Sequence, residues 1–216
     1  MNLLIIGAPG AGKGTMSDLI LKNFDIVHVS TGDMLREAVK NKTEIGLKAQ
    51  EYMNAGALVP DEIINGIIVE RLSKDDINKG FLFDGYPRNV AQAESLSKIL
   101  ADLNKKIDAV INLNVEDEVL IKRITGRRLC PKCGAIYNIY YTAPQVEGKC
   151  DKCGEELTQR KDDNVDSLKV RLEEFHHNTQ PVIEYYDKAN IVKNINADQD
   201  INLVFEDVKK ALEGIK

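Results

Sequence analysis

The sequence predicts an α/β protein: a doubly wound, five-stranded parallel sheet that carries a helical subdomain and a cysteine-rich insert. Three observations predict it. Five short apolar runs, Leu3 to Ile6, Ile26 to Val29, Phe81 to Phe83, Ile107 to Val115 and Ile191 to Ile195, alternate with stretches of helical period, as parallel strands joined by crossover helices do. Residues 30–60 hold helical signals and no strand, so they stand apart from the sheet. From Arg127 to about Asp163 the helical period disappears and all four cysteines appear.

The first strand runs straight into Gly7-Ala-Pro-Gly-Ala-Gly-Lys-Gly-Thr15. With glycine at 7, 10, 12 and 14, successive backbone N–H groups can point at one anion, and the positive end of the following helix lies behind them. Lys13 adds a full charge. The stretch reads as a phosphate-binding loop, or P-loop, that opens a helix. The general pattern sets Ser or Thr directly after the lysine to hold Mg²⁺. Here Gly14 intervenes and Thr15 comes one place later, which weakens a metal contact through that hydroxyl.

Further along, Met16, Leu19, Ile20 and Phe24 share one helical face. After the second strand Ser30 and Thr31 are cap candidates, with Asp33 in the first turn of a helix to about Val39. A helix from about Glu44 to Asn54 stops at Ala55-Gly56, and another opens at Pro60-Asp61 and reaches about Ser73. The third strand ends at Asp84, Gly85-Tyr86-Pro87-Arg88 breaks the chain, and a helix follows from Val90 to Leu103. Glu116 to about Gly126 is the helix after the fourth strand. Asn164 to Ala189 reads as one long helix with Pro181 inside it, which predicts a kink or a break. Leu203, Val208 and Leu212 mark the last helix.

A chain of 216 residues with 43% apolar and 29% charged content suits one medium domain with an insert. The net charge of −5 argues against a general nucleic-acid binder. The start lacks the pattern of a signal peptide and no segment has the apolar length to cross a bilayer, so a cytoplasmic protein with no membrane partner is expected.

In such a sheet ligands bind at the carboxyl ends of the strands, which puts the loop and Asp84 at one edge. A strand-end aspartate beside a phosphate loop is suited to orient Mg²⁺ directly or through water, although the same residue often only caps a turn. Arginines number eight against 21 lysines. Arg36, Arg88, Arg123, Arg127, Arg128, Arg160 and Arg171 each stand beside an expected loop or junction, with Arg71 the outlier. Their planar forks bind phosphate oxygens bidentately, so the bias fits a site holding several phosphoryl groups. No general base is evident: His28 reads as a core residue, and His176-His177 as surface. A phosphate acceptor would not need one, since a phosphate monoester is mostly dianionic near neutrality, with a second pKa of about 6.

Cys130-Pro-Lys-Cys133 and Cys150-Asp-Lys-Cys153, 16 residues apart, form a zinc-ribbon pattern with Gly134 and Gly154 after the pairs. Four thiolates close a tetrahedral site, so the metal is structural, Zn²⁺ or alternatively iron; two disulfides fit a reducing compartment poorly. Tyr137, Tyr140, Tyr141 and nearby lysines suggest a nucleic-acid-binding ribbon, but Glu147, Asp151, Glu155 and Glu156 offset the charge.

Gly7 to Thr15, Ser30-Thr-Gly-Asp-Met-Leu-Arg36, Phe83-Asp-Gly-Tyr-Pro-Arg88, Gly126-Arg-Arg128 and Arg160-Lys-Asp-Asp163 together resemble the adenylate kinase family, in order and over essentially the whole chain. The cysteines resemble the zinc-bearing form of its long lid. The resemblance implies Mg²⁺-dependent transfer of a phosphoryl group from ATP to AMP, giving two ADP, by a monomer. It divides the chain into a core of residues 1–29, 60–126 and 164–216, a nucleoside monophosphate subdomain of 30–59 and a lid of 127–163. Lys13, Asp84, Arg88, Arg123, Arg127, Arg160 and Arg171 are implied to carry catalysis. Gly10, Ala11, Gly12, Lys13, Gly14, Thr15, Arg127, Ile136, Tyr137 and Gln199 would hold ATP. AMP would lie on Thr31, Arg36, Ala57, Leu58, Val59, Gly85, Tyr86, Pro87, Arg88 and Gln92, with Arg160 and Arg171 reaching between the nucleotides. An amide such as Gln92 can both donate to and accept from an adenine edge. A kinase for another acceptor base is the alternative, and a nucleotide-dependent switch with a nucleic-acid-binding ribbon a more distant one.

Overall fold

The computed structural model describes residues 1–55 and 59–215. Chain order is β1 (Asn2–Gly7), α1 (Lys13–Asn23), β2 (Val27–Ser30), α2 (Thr31–Lys40), α3 (Glu44–Ala55) and α4 (Asp61–Leu72). After a short 3₁₀ turn come β3 (Phe81–Asp84), α5 (Val90–Asp102), β4 (Ala109–Asn114) and α6 (Asp117–Thr125). The hairpin strands β5 (Arg127–Leu129) and β6 (Ile136–Asn138) follow, then α7 (Val165–Glu174), α8 (Gln180–Asp187), β7 (Val192–Asn196) and α9 (Ile201–Leu212).

The main sheet has the order β2-β3-β1-β4-β7 and every pairing is parallel. β1 is central because both of its faces are buried. Leu4 and Ile6 pack with Val29, Ile68, Phe83 and Leu96 on one side, while Leu3 and Ile5 pack with Met16, Ile20, Val204 and Val208 on the other. A strand covered on both faces has no solvent side to mark with polar residues, hence the continuous apolar run. Register sets Ile5 opposite Asp84, and Asp84 opposite Ser30. The P-loop, Asp84 and the start of α2 therefore emerge at one sheet edge.

Local chemistry explains the helix starts. Ser30 caps α2 by accepting the Asp33 N–H at 3.3 Å, Asn89 caps α5 through Gln92 N–H at 2.7 Å, and Asn164 caps α7 through Ser167 N–H at 2.9 Å. Thr31 is thus the first helical residue rather than a cap. The first helix begins at Lys13, earlier than its apolar period suggests, so Lys13, Gly14 and Thr15 form its opening turn.

The long helix expected over 164–189 is divided by a π turn at Phe175–Thr179. Proline at 181 has no N–H for the carbonyl four residues back, and its ring crowds that carbonyl. The chain relieves this one residue earlier, where the Gln180 N–H reaches back five residues to the Phe175 carbonyl.

Between α6 and α7 the insert forms its own small body. β5 pairs antiparallel with β6, and Leu129 bridges to Thr158. Each cysteine pair makes the same knuckle, the Gly134 N–H reaching Cys130 O at 3.0 Å and the Gly154 N–H reaching Cys150 O at 2.8 Å. The buried cluster is only Cys130, Ala135, Tyr137 and Cys150, with Cys153 and Leu157 against it. Among the described residues, no helix is long and apolar enough to cross a membrane.

Candidate active site

A cleft of about 1000 Å³ opens at the carboxyl edge of the sheet, between the P-loop, the start of α2, the segment after β3, the insert and the π turn. That volume is at the upper end for small-molecule sites. Gly10, Ala11, Gly12, Lys13, Gly14 and Thr15 all line it. Gly12 precedes α1 with φ +96°, a conformation costly for any residue with a Cβ, and no side chain caps the helix. The N–H groups of the opening turn have no intrahelical acceptor and are left for an anion.

Lys13 extends along this loop, its Nζ donating to Gly7 O at 2.6 Å and Ala8 O at 3.1 Å. Desolvation lowers its pKa from 10.5 to about 8, partly opposed by Asp84 and reinforced by Arg88, Arg171 and Arg127. Such crowding of positive charge in a partly desolvated place favours a polyanionic ligand.

Six arginines, at 36, 88, 123, 127, 160 and 171, line the same cleft. Arg128 does not. It turns away to donate to the Thr125 and Arg127 carbonyls at 3.1 and 2.7 Å, which corrects its inclusion in the expected cluster. Arg71 is remote as expected, forming a fork with Asp76 at 2.7 and 2.8 Å. Of the six, Arg127 holds the fully buried Asp163 carboxylate through two hydrogen bonds, and Arg171 donates to Asp162 at 2.9 Å. Arg36 pairs with Asp33, Arg123 donates to Ala197 O at 2.8 Å, and Arg88 Nε donates to Gly85 O at 2.8 Å. The Arg160 guanidinium has no hydrogen-bond acceptor among the described residues. Burial, followed by neighbouring guanidinium charge, holds the pKa values of Arg88 and Arg160 below that of a free arginine.

Asp84 lines the cleft with His28 Nε2 3.9 Å from its carboxylate. His28 is therefore a cleft residue, not the core residue its position after an apolar strand suggests. Strand alternation puts its side chain on the opposite face from the buried Val29 and on the same face as Ser30, the residue paired with Asp84.

Gly85, Tyr86, Pro87, Ile136, Tyr137 and Gln199 also line the cleft. Gln199 Nε2 donates to Asn196 O at 3.0 Å and Asp207 at 2.9 Å, which leaves its amide oxygen as the remaining polar group. Tyr137 is largely committed to the insert, its hydroxyl accepting the Asp151 N–H at 2.8 Å and lying 3.5 Å from Cys150 Sγ. Thr31, Val59 and Gln92 are buried behind the cleft wall. Thr31 Oγ1 donates to Gly85 O at 3.0 Å, and Gln92 bridges Arg88 N–H to Asp61. Ala57 and Leu58 lie outside the described residues.

In the insert the four cysteine sulfurs lie within 4.8 Å of one another, with Cys130–Cys153 at 3.4 Å and Cys133–Cys150 at 3.5 Å. Tetrahedral Zn²⁺ with Zn–S of about 2.3 Å needs sulfurs about 3.8 Å apart. The thiols are free and meet as one group of four, which fits such an ion and not two disulfides.

The family model described as adenylate kinase matches residues 5–191. An adenylate kinase of Geobacillus sp. (strain WCH70) is 52% identical over 216 residues, covering all of both chains. Those of Thermoanaerobacter sp. (strain X514) and Methanothrix thermoacetophila are 52% and 50% identical over 212 residues, covering 98% of each chain. The chain belongs to the adenylate kinase family. It is accordingly a phosphotransferase with a phosphate group as acceptor. For a member of the adenylate kinase family the arrangement of phosphate loop, arginines and strand-end carboxylate in one cleft has a clear chemical use. Two residues that sequence reasoning did not read as site residues contact the implied machinery, Asp61 and Thr179, while Asp163, the last residue of the Arg160 to Asp163 motif, holds Arg127. Neither Asp61 nor Thr179 carries a motif signal, because each acts through a partner distant in the chain.

Proposed function

We propose that this chain transfers a phosphoryl group from ATP to AMP, forming two ADP, in a cleft that holds both nucleotides. The observation that carries this reading is the convergence of Lys13 and six arginines on one cleft at the carboxyl edge of the sheet. One phosphate ester would not call for so many cations; two nucleotides sharing several phosphoryl groups would. In this reading the amides of Gly10 to Thr15 and Lys13 hold the ATP phosphates. Arg36 and Arg88 bind the acceptor phosphate. Arg123, Arg127, Arg160 and Arg171 neutralise charge that develops on the transferred group, the main task of a protein in phosphoryl transfer. The acceptor dianion needs no general base.

Gln199, through its free amide oxygen, and Ile136 and Tyr137 of the insert face the donor base. Thr31, Val59, the Gly85 to Arg88 segment and Gln92, together with Ala57 and Leu58, form the acceptor side. Mg²⁺ arriving with ATP would supply further charge neutralisation, with Asp84 positioned to hold its water. Cys130, Cys133, Cys150 and Cys153 would hold a structural Zn²⁺, since a cluster of so few apolar residues gives the insert little stability of its own. Residues 30–59 and 127–163 act as covers that close over the core formed by 1–29, 60–126 and 164–216, excluding water that would otherwise hydrolyse ATP. The protein works as a cytoplasmic monomer without nucleic-acid or membrane partners.

Mixing the protein with Mg-ATP and AMP and quantifying all nucleotides tests the reading. Two ADP per AMP consumed is expected. ATP loss unaccompanied by AMP loss would refute it.

A further inference from the structure

We propose that Thr179 is a positioning residue for Arg88, and that the π turn at Phe175–Thr179 exists in this chain to deliver its hydroxyl. Thr179 Oγ1 donates to the Arg88 main-chain carbonyl at 2.9 Å, across 91 residues of sequence. On the other side of the same residue, the Arg88 N–H donates to Gln92 Oε1 at 2.7 Å. Both main-chain polar groups of Arg88 are thus held by side chains of different elements, and its Nε is tied to Gly85 O at 2.8 Å.

A threonine inside a helix can turn its hydroxyl back to the carbonyl of the residue four places earlier. Here that carbonyl, of Phe175, takes the Gln180 N–H instead, and the hydroxyl crosses to another element. One residue adds about 100° of rotation to a helix, so the extra residue in the widened turn changes which side chain faces the cleft. Thr179 lines the cleft wall together with Phe175, Glu174 and Arg171. Pro181 locks the widening in place, because no N–H is available there to restore the regular ladder.

The consequence is geometric. Main-chain torsions of Arg88 set the direction of its Cα–Cβ bond, and a guanidinium at the end of a long side chain magnifies any error there. Fixing both flanking peptide groups preorganises the charge before substrate arrives, and a displacement of about 1 Å at a reacting group can cost about a hundredfold in rate. The inference rests on the reading of Arg88 as the acceptor-phosphate arginine.

The test is a double-mutant cycle on the full chain, read as the single-turnover rate of phosphoryl transfer from Mg-ATP to AMP. Thr179→Val, which keeps the shape and removes the donor, is expected to slow transfer about tenfold while leaving the KM for ATP unchanged. Thr179→Ser restores the rate. In an Arg88→Ala background Thr179→Val has no further effect, because there is no guanidinium left to aim. Should Thr179→Val fold poorly, Thr179→Ala read against Thr179→Ser at a temperature well below both melting points supplies the same comparison. A full rate in Thr179→Val or Thr179→Ala, or an equal loss in both backgrounds, overturns the inference. An unchanged rate in Arg88→Ala alone overturns the underlying reading of Arg88 instead.

Discussion

Gln92 accepts the Arg88 main-chain N–H on its amide oxygen at 2.7 Å and gives its amide nitrogen to Asp61 Oδ1 at 2.6 Å. These partners have fixed polarity: a backbone N–H only donates and a carboxylate only accepts, so the amide has one orientation. It keeps one N–H and one lone pair to spare, and under the proposed reading of Gln92 as an acceptor-side residue these are the complement an adenine edge needs. Asp61 also accepts from Asn89 Nδ2 at 3.2 Å, tying the start of α4 to the loop that carries Arg88. Asp61→Asn, which offers donor as well as acceptor, would let the amide turn over. The KM for AMP is expected to rise about tenfold, the worth of roughly one hydrogen bond, with the KM for ATP unchanged. Steady-state kinetics with each substrate varied in turn checks this, and an unaltered KM for AMP argues against an oriented amide.

Lys13 gives a pH dependence of definite sign. Its folded pKa of about 8 lies below the free value of 10.5. Below pH 8 the lysine is charged in folded and unfolded chains alike, and the folded chain bears the desolvation. Between pH 8 and about 10.5 the unfolded chain binds the proton more fully, so the Lys13 contribution to stability rises with pH across that window. Bound triphosphate favours the ammonium form. ATP binding near pH 9 is therefore expected to take up protons, measurable by calorimetry in buffers of different ionisation enthalpy. Lys13→Met should abolish that uptake, and an uptake that persists in it belongs to another group.

The cysteine cluster predicts a metal requirement confined to the insert. The purified chain is expected to hold one Zn²⁺ by elemental analysis, and its removal by chelator under mild denaturation should lower the thermal midpoint. Phosphoryl transfer at mild temperature should survive largely intact, because no cysteine lines the cleft among the described residues. A metal-free protein with an unchanged midpoint would contradict the structural role.

Arg71 serves as the internal control for the arginine argument. Its fork to Asp76 joins the end of α4 to the following turn, away from the cleft. Arg71→Ala is expected to lower the thermal midpoint by a few degrees and leave the turnover number unchanged. A large loss of turnover would mean that arginine placement does not separate site from scaffold.

What could be read in the sequence followed from how local each signal is. The strands, the P-loop and the two cysteine knuckles are written in contiguous residues, and the β1 run from Leu3 to Ile6 needs no partner to be recognised. Ser30 was legible as a cap because its N–H acceptor role acts within three residues. Pro181 announced a disturbance, yet its form, a π turn displaced toward Phe175, depends on which carbonyl the Gln180 N–H can reach. The place of His28 was not legible because its neighbour in the cleft, Asp84, is a residue of a different strand and is brought beside it only by the sheet. Arg128 looked equivalent to Arg127, but neighbours in a strand point to opposite faces, and only Arg127 turns toward Asp163. The contacts of Asp61 and Thr179 with the Arg88 loop could not be read at all, since each joins elements brought together only by the finished fold.

The acceptor determines whether the account of the cleft is right. Rates of phosphoryl transfer from Mg-ATP to AMP, GMP, CMP and UMP, compared as kcat/KM under one set of conditions, test it most directly. AMP is expected to exceed each of the others by at least about a hundredfold, as a site that hydrogen-bonds one base edge rejects bases that leave its groups unpaired. Equal or better transfer to any other monophosphate would contradict it.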